Sequence, residues 1–262
     1  MPQRRRTPAT EYFGAELRRA REGAGLSREE LGKLTGYVAG TIAQLEIGER
    51  FPQPRFIDWL CEHFQTDQFR RIYDTLLRRD AYPESFRPWI DIEQAASVLR
   101  SYELSVIPGL LQTEQYARAL LLSTGDGVEA RVAARLERQA ILEHERPPTL
   151  IFLVSENALS QPVGSNEIMR QQLSKLATAA ERWIVQVVPL AAETYIHLAG
   201  SFVIATVEGE DVVYTPTQLR GYVIDNLDLV ADAKWRWEAI RSEALPRRQS
   251  KDFILELANG HE

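Results

Sequence analysis

Apolar residues first settle into a helical rhythm at Phe13, Leu17, Ala20 and Ala24, with Gly23 and Gly25 bracketing the end of the run. Ser27-Arg28-Glu29-Glu30 follows, and this spacing is a capping box. The Ser27 hydroxyl accepts from the Glu30 amide, and the Glu30 carboxylate reaches back to Ser27. Leu31 and Leu34 give this second helix one apolar side, and Gly36 ends it where a left-handed backbone favours glycine. A third short helix is predicted over 38–47, with Ile42 and Leu45 inward and Gly48 closing it. Pro54 can open a fourth helix carrying Phe56, Leu60 and Phe64. Phe69, Ile72, Tyr73, Leu76 and Leu77 continue at helical spacing as a fifth.

Pro83 and Pro88 mark a boundary within 80–90. Beyond it, Ile92, Ala95, Ala96 and Leu99 predict one helix, Ile107-Pro108-Gly109 a tight turn, and Thr113 the cap of a helix carrying Tyr116, Ala117, Leu120 and Leu121. Gly125-Asp126-Gly127 reads as a turn and 128–145 as a charged helix. The period then changes. Leu150 to Val154 and Trp183 to Val188 are short apolar runs of β-formers, so buried strands, and 166–181 between them is helical. That order is a βαβ unit, expected to be parallel and right-handed. Phe202 to Val207 and Val212 to Tyr214 flank a turn and predict a hairpin. Helices near 225–243 and 250–258 finish the chain.

The expected fold is α+β overall: an all-α helix-turn-helix N-terminal domain followed by a mixed α/β C-terminal domain. The boundaries read as a flexible basic arm (1–10), a helix-turn-helix domain (11–66), a linker helix with a Pro-containing linker (67–90), and a mixed α/β regulatory or partner-binding domain (91–262).

Composition narrows the function. Hydrophobic residues at 44% and charged residues at 26% suit a soluble globular protein, and no apolar run suggests a membrane span or a secretory signal. The lone Cys61 excludes an internal disulfide, and the four histidines lack metal-ligand spacing. No metal and no cofactor is expected. The net charge of −6 argues at first against DNA, but it is uneven: residues 1–82 hold 14 Lys/Arg against 12 Asp/Glu, and the rest 17 against 25. A basic head on an acidic body fits a local DNA contact.

Leu26-Ser27-Arg28-Glu29-Glu30-Leu31, Gly36, Ile42, Leu45-Glu46, Gly48, Arg50 and Pro52 supply the parts of a helix-turn-helix in order. The run from Phe13 to Phe64 resembles the Cro/phage-repressor family. That resemblance implies base contacts at Ala39, Gly40 and Gln44, phosphate contacts near Thr41 and Arg50, and a backbone contact from Arg28. It also implies that Glu46 pairs with Arg18 or Arg21. Ala39 and Gly40 cannot form bidentate hydrogen bonds; Ala39 suits a thymine methyl and Gln44 an adenine. Direct readout is therefore thin. Phosphates, DNA shape or the Arg4-Arg5-Arg6 segment, read either as a DNA-binding arm or as a solvated tail, carry more.

Ile107-Pro108-Gly109-Leu110-Leu111-Gln112-Thr113, Tyr116-Ala117, Arg138-Gln139, Ser155-Glu156-Asn157-Ala158-Leu159 and Gln186-Val187-Val188-Pro189 stand out downstream. Together they resemble the C-terminal domain of actinobacterial antitoxin-like transcription regulators. The resemblance implies a sequence-specific regulator of double-stranded DNA, cytoplasmic and nucleoid-associated, whose C-terminal domain binds a small partner protein encoded nearby. A small-molecule-sensing repressor is the alternative. Two-fold symmetry would double the contacts of a single helix-turn-helix, so a homodimer is expected. Gln112, Arg138, Gln139 and Glu156 either line a partner or ligand groove or form an internal hydrogen-bond network. Of Trp235 and Trp237, two apart on a helix, one is core and the other a candidate interface residue. Catalysis is not expected: Ser155-Glu156 has no histidine nearby in sequence, and His197 reads as a surface or capping residue.

Overall fold

The computed structural model describes residues 6–77, 82, 84–122, 128–193, 195–217 and 220–260. The chain divides into two compact units, one holding described residues of 1–84 and 124–134, the other those of 85–123 and 135–262. The fold is α+β.

The first unit is helical. Its helices are α1 (Pro8–Gly23), α2 (Arg28–Thr35), α3 (Ala39–Glu46), α4 (Pro54–His63) and α5 (Gln68–Ile72), the last running into a π turn at Tyr73–Leu77. Phe13, Leu17, Leu31, Ile42, Leu45, Ile57, Leu60 and Phe69 form its core. The capping box at Ser27 and Glu30 is present, and Gly36 ends α2 at φ 75°. Two expectations change. Helix α1 begins at Pro8 with Thr7 as its cap, so three residues assigned to the arm are helical. Leu34 does not join Leu31 in the core; it is 51% exposed. Arg4 and Arg5 lie outside the described residues.

The second unit is built on a six-stranded mixed sheet in the order β3-β2-β1-β4-β5-β6. Helix α6 (Arg87–Ala95) leads into β1 (Val98–Glu103). Then come α7 (Glu114–Leu122), α8 (Val128–Arg138, divided between the units after Ala134), β2 (Thr149–Ser155), α9 (Glu156–Ser160), α10 (Asn166–Arg182) and β3 (Ile184–Val188). The remainder is β4 (Phe202–Val207), β5 (Glu210–Pro216), β6 (Gly221–Ile224), α11 (Leu227–Ser242) and α12 (Arg247–Asn259).

Strands β1, β2 and β3 are parallel, and β4, β5 and β6 continue antiparallel from β1. The βαβ unit and the hairpin are present. The helix expected to carry Ile92, Ala95, Ala96 and Leu99 stops at Ala95, and Leu99 belongs to strand β1. The charged helix expected over 128–145 ends at Arg138 and continues as a 3-10 turn, Gln139–Glu143. The turn expected at Gly125-Asp126-Gly127 lies outside the described residues.

Alternation along the strands gives the sheet two buried faces. Leu99, Phe152, Val154, Val185, Val187, Ala205 and Tyr214 pack on one side with Met169, Leu173 and Leu176 of α10 and Ile254 of α12. Tyr102, Leu153, Val188, Phe202, Ile204 and Val213 pack on the other with Val230, Trp237 and Ile240 of α11. Trp237 is the core tryptophan and Trp235 is 60% exposed. At the margin of β3, Val187 is paired from the link after α11 and from α12: the Leu245 amide donates to the Val187 carbonyl at 2.8 Å, and the Val187 amide donates to Ser250 Oγ at 3.0 Å.

Candidate nucleic-acid interface

Helix α3 is bounded by its caps, Val38 in an extended conformation before it and Ile47, whose amide still donates to the Ala43 carbonyl, after it. Its inward side, Ile42 and Leu45, is fully packed. Gly40 and Gln44 are exposed on its outer side, and Ala39 is half-buried. Thr41 is buried, and its hydroxyl accepts from Arg50 Nη1 at 3.1 Å, so it fixes Arg50 at the end of the helix.

The Glu46 side chain is 1% exposed. One of its oxygens accepts from Arg21 Nε at 2.5 Å, and the other accepts from Arg28 Nε at 2.8 Å. Arg18, the other candidate partner, pairs with Glu22 instead. Arg6 reaches Glu49 at 2.7 Å. A depression of about 550 Å³ opens between α1, α2 and α3, lined by Arg18, Arg21, Arg28, Ala39, Gly40 and Ala43 together with Glu22 and Glu29.

In the second unit, Gln112, Arg138 and Gln139 lie together and Glu156 lies apart. Gln112 Nε2 donates to the Ile107 carbonyl at 2.7 Å, and its Oε1 accepts from Arg135 at 2.8 Å. Gln139 Nε2 donates to the carbonyls of Gly109 and Gln112, and Lys175 Nζ donates to the same Gln112 carbonyl at 2.8 Å. Gln172 accepts from the Thr113 amide and donates to the Leu111 carbonyl. These side chains hold the 107–113 loop by its main chain. Arg138 makes a two-pronged pair with Glu93 at 2.7 and 2.6 Å and lies over the Phe86 ring. Glu156 accepts from the Leu190 amide. His197 is 4% exposed rather than on the surface, and its carbonyl accepts from the Tyr102 hydroxyl.

Sequence reasoning missed Glu103, at the carboxyl end of β1. It keeps some solvent exposure but is packed round by protein. Burial pushes its carboxyl up to about 7, while hydrogen bonds from Ser101 and Ser201 and the charges of Arg135 and Arg138 pull the other way. The folded chain therefore holds this proton more tightly than the unfolded chain does. Stability from this group is full below about pH 4.5 and is lost as pH rises through about 7. Urea midpoints taken from about pH 5 to 8 will fall by the equivalent of roughly 1–3 kcal/mol, and Glu103→Gln will flatten that part of the slope. A slope unchanged by the substitution would assign the effect to another group.

A family profile described as Helix-turn-helix domain matches residues 13–71, and one described as Domain of unknown function (DUF5753) matches residues 86–256. The chain belongs to the DUF5753 family. In this member the DUF5753 domain follows a helix-turn-helix domain, the module of DNA-binding regulators. No curated protein and no solved structure matches this DUF5753 chain significantly. Among its described residues, no helix is long and apolar enough to cross a membrane, and no group of three or more His, Cys, Asp and Glu could hold a metal ion.

Proposed function

We propose that the protein is a sequence-specific transcription regulator of antitoxin-like type. It is a cytoplasmic homodimer that binds duplex DNA through the outer side of α3 and a small partner protein through the DUF5753 domain. Arg28, Ala39, Gly40, Gln44 and Arg50, with Thr41 holding Arg50, make up the DNA-facing set. The partner-binding part rests on the resemblance of the C-terminal half to actinobacterial regulators.

The observation that carries the DNA reading is Gly40. A glycine inside a helix costs about 0.5–1 kcal/mol relative to alanine, so it needs a reason. Gly14 and Gly32 have one: a Cβ on either would collide with main chain of a neighbouring segment. A Cβ on Gly40 would meet nothing within 4 Å. Gly23, at the last position of α1, is equally unobstructed, but Gly40 lies on the exposed outer side of α3 beside the depression lined by Arg18, Arg21, Arg28, Glu22 and Glu29, where a missing Cβ lets a DNA strand approach the helix closely.

Selection from a random duplex pool will yield a preferred site. Gly40→Ala will raise Tm by about 1–4 °C. The same change will weaken binding to the selected site by roughly fivefold or more, a loss of about 1 kcal/mol. Gain of stability with loss of affinity is the expected pair. A pool that yields no preferred sequence, or a variant that binds as tightly as the parent, would remove this reading.

A further inference from the structure

Resting on that DNA-binding reading, the contacts of Glu46 show what aims the arginine at the rim. Arg21 is engaged through all three guanidinium nitrogens. Nε meets Glu46, Nη1 donates to the Leu26 carbonyl at 2.7 Å, and Nη2 reaches Glu22 at 3.1 Å and Glu46 at 3.4 Å. Arg28 is different. Its Nε donates to Glu46, and among the described residues its two terminal nitrogens have no partner. Its side chain is 37% exposed and lines the depression beside Ala39, Gly40 and Ala43. Arg18, Arg21 and Arg28 stand against Glu22, Glu29 and Glu46 here, so what sets Arg28 apart is the pair of guanidinium nitrogens it keeps at the rim rather than an excess of charge. Glu22 and Glu29 also line the depression, with Glu22 held by Arg18 and Arg21.

We propose that Glu46 is a positioning residue for DNA binding: it grips Arg28 by Nε and presents the remaining guanidinium nitrogens to a DNA phosphate. An arginine side chain has large rotamer freedom, and a phosphate contact must otherwise overcome it. One bond from Nε to a buried carboxylate fixes the guanidinium plane before DNA arrives and leaves the planar fork that suits phosphate oxygens. Lysine cannot do this, because a single ammonium cannot hold Glu46 and meet a phosphate with a fixed plane. Glu46 thereby joins the core of the helical unit, through Arg21, to its outer surface, through Arg28.

The test uses the full chain and a labelled random-sequence duplex of about 20 bp, titrated between about 50 and 200 mM salt, with Tm recorded for each variant. Arg28→Ala will lower the log–log salt slope by about 0.9, the signature of one lost phosphate contact. Arg28→Lys will keep the slope but bind about five- to tenfold more weakly, because the charge stays and the aim is lost. Glu46→Gln will show the same drop as Arg28→Lys, and the double variant will be no weaker than either single one. A purely structural role for Glu46 would lower Tm without this shared loss.

If Arg28→Lys binds within about twofold of the parent, or if the two losses multiply, the clamp is overturned. Should Glu46→Gln fail to fold, Arg28→Lys against Arg28→Ala decides alone. A parent that binds but is unaffected by Arg28→Ala overturns the clamp and leaves the DNA reading standing. A parent that binds no duplex at all removes both.

Discussion

Gly14→Val will unfold the N-terminal helical unit and abolish duplex binding. At Gly14, α1 passes so close to the end of α3 that a Cβ would fall well inside contact distance of the Glu46 carbonyl oxygen and 2.7 Å from the carbonyl carbon. Those atoms are main chain and cannot rotate away. Relief requires the helices to separate, which would disturb Phe13, Leu17 and Ile42, all completely buried, and loosen the grip of Arg21 on Glu46. Overpacking of this kind costs about 3 kcal/mol or more when the obstacle is backbone. Amide hydrogen exchange should show protection lost across α1 to α3 together. Protection and affinity equal to the parent's would mean that the helices have another way to pack.

Glu93→Ala is expected to have the second large effect, on the DUF5753 domain. Both partners of the Glu93–Arg138 pair are nearly inaccessible, and the substitution removes the carboxylate that accepts two of the arginine's nitrogens. Taking one member from a buried pair costs about 3–5 kcal/mol, because the desolvated guanidinium loses the carboxylate that accepts from two of its nitrogens. The corresponding fall in Tm is about 10 °C for a domain of this size. Replacing both members by apolar residues, Glu93→Leu with Arg138→Met, should recover most of the loss, since the pair itself gives little net stability. A shift below about 2 °C for the single variant would show that Arg138 finds compensation elsewhere.

The helix-turn-helix was legible in the sequence because each of its devices is local. The Ser27–Glu30 box, the left-handed Gly36 and the inward pair Ile42 and Leu45 involve residues within a few positions of one another. Strand β1 was not legible. Both of its faces are covered, so Val98, Leu99, Arg100, Ser101, Tyr102 and Glu103 show no clean alternation, and the apolar spacing from Ile92 to Leu99 imitates a helix. Polar Ser101 and Glu103, two apart on one face, were the available sign. In the candidate site, family resemblance offers Arg18 or Arg21 as the partner of Glu46, and the structure selects Arg21. Its second bond, to Arg28, joins residues 18 apart and depends on the angle between α2 and α3. Leu34 is the opposite case: helical spacing places it near Leu31, but only Leu31 reaches the core, and Leu34 is left 51% exposed.

Synthesis runs from the N-terminus, so β3 is made before Ser250, which shields its margin and lies 63 residues further on. At about 5–20 residues per second, the ribosome needs roughly 3–12 s to deliver that shield. Throughout this interval the nascent chain carries a bare, valine-rich ribbon able to stick to another unfinished copy. Crowded translation of this messenger therefore opens a route to association that the finished fold, with Val187 already paired, does not offer.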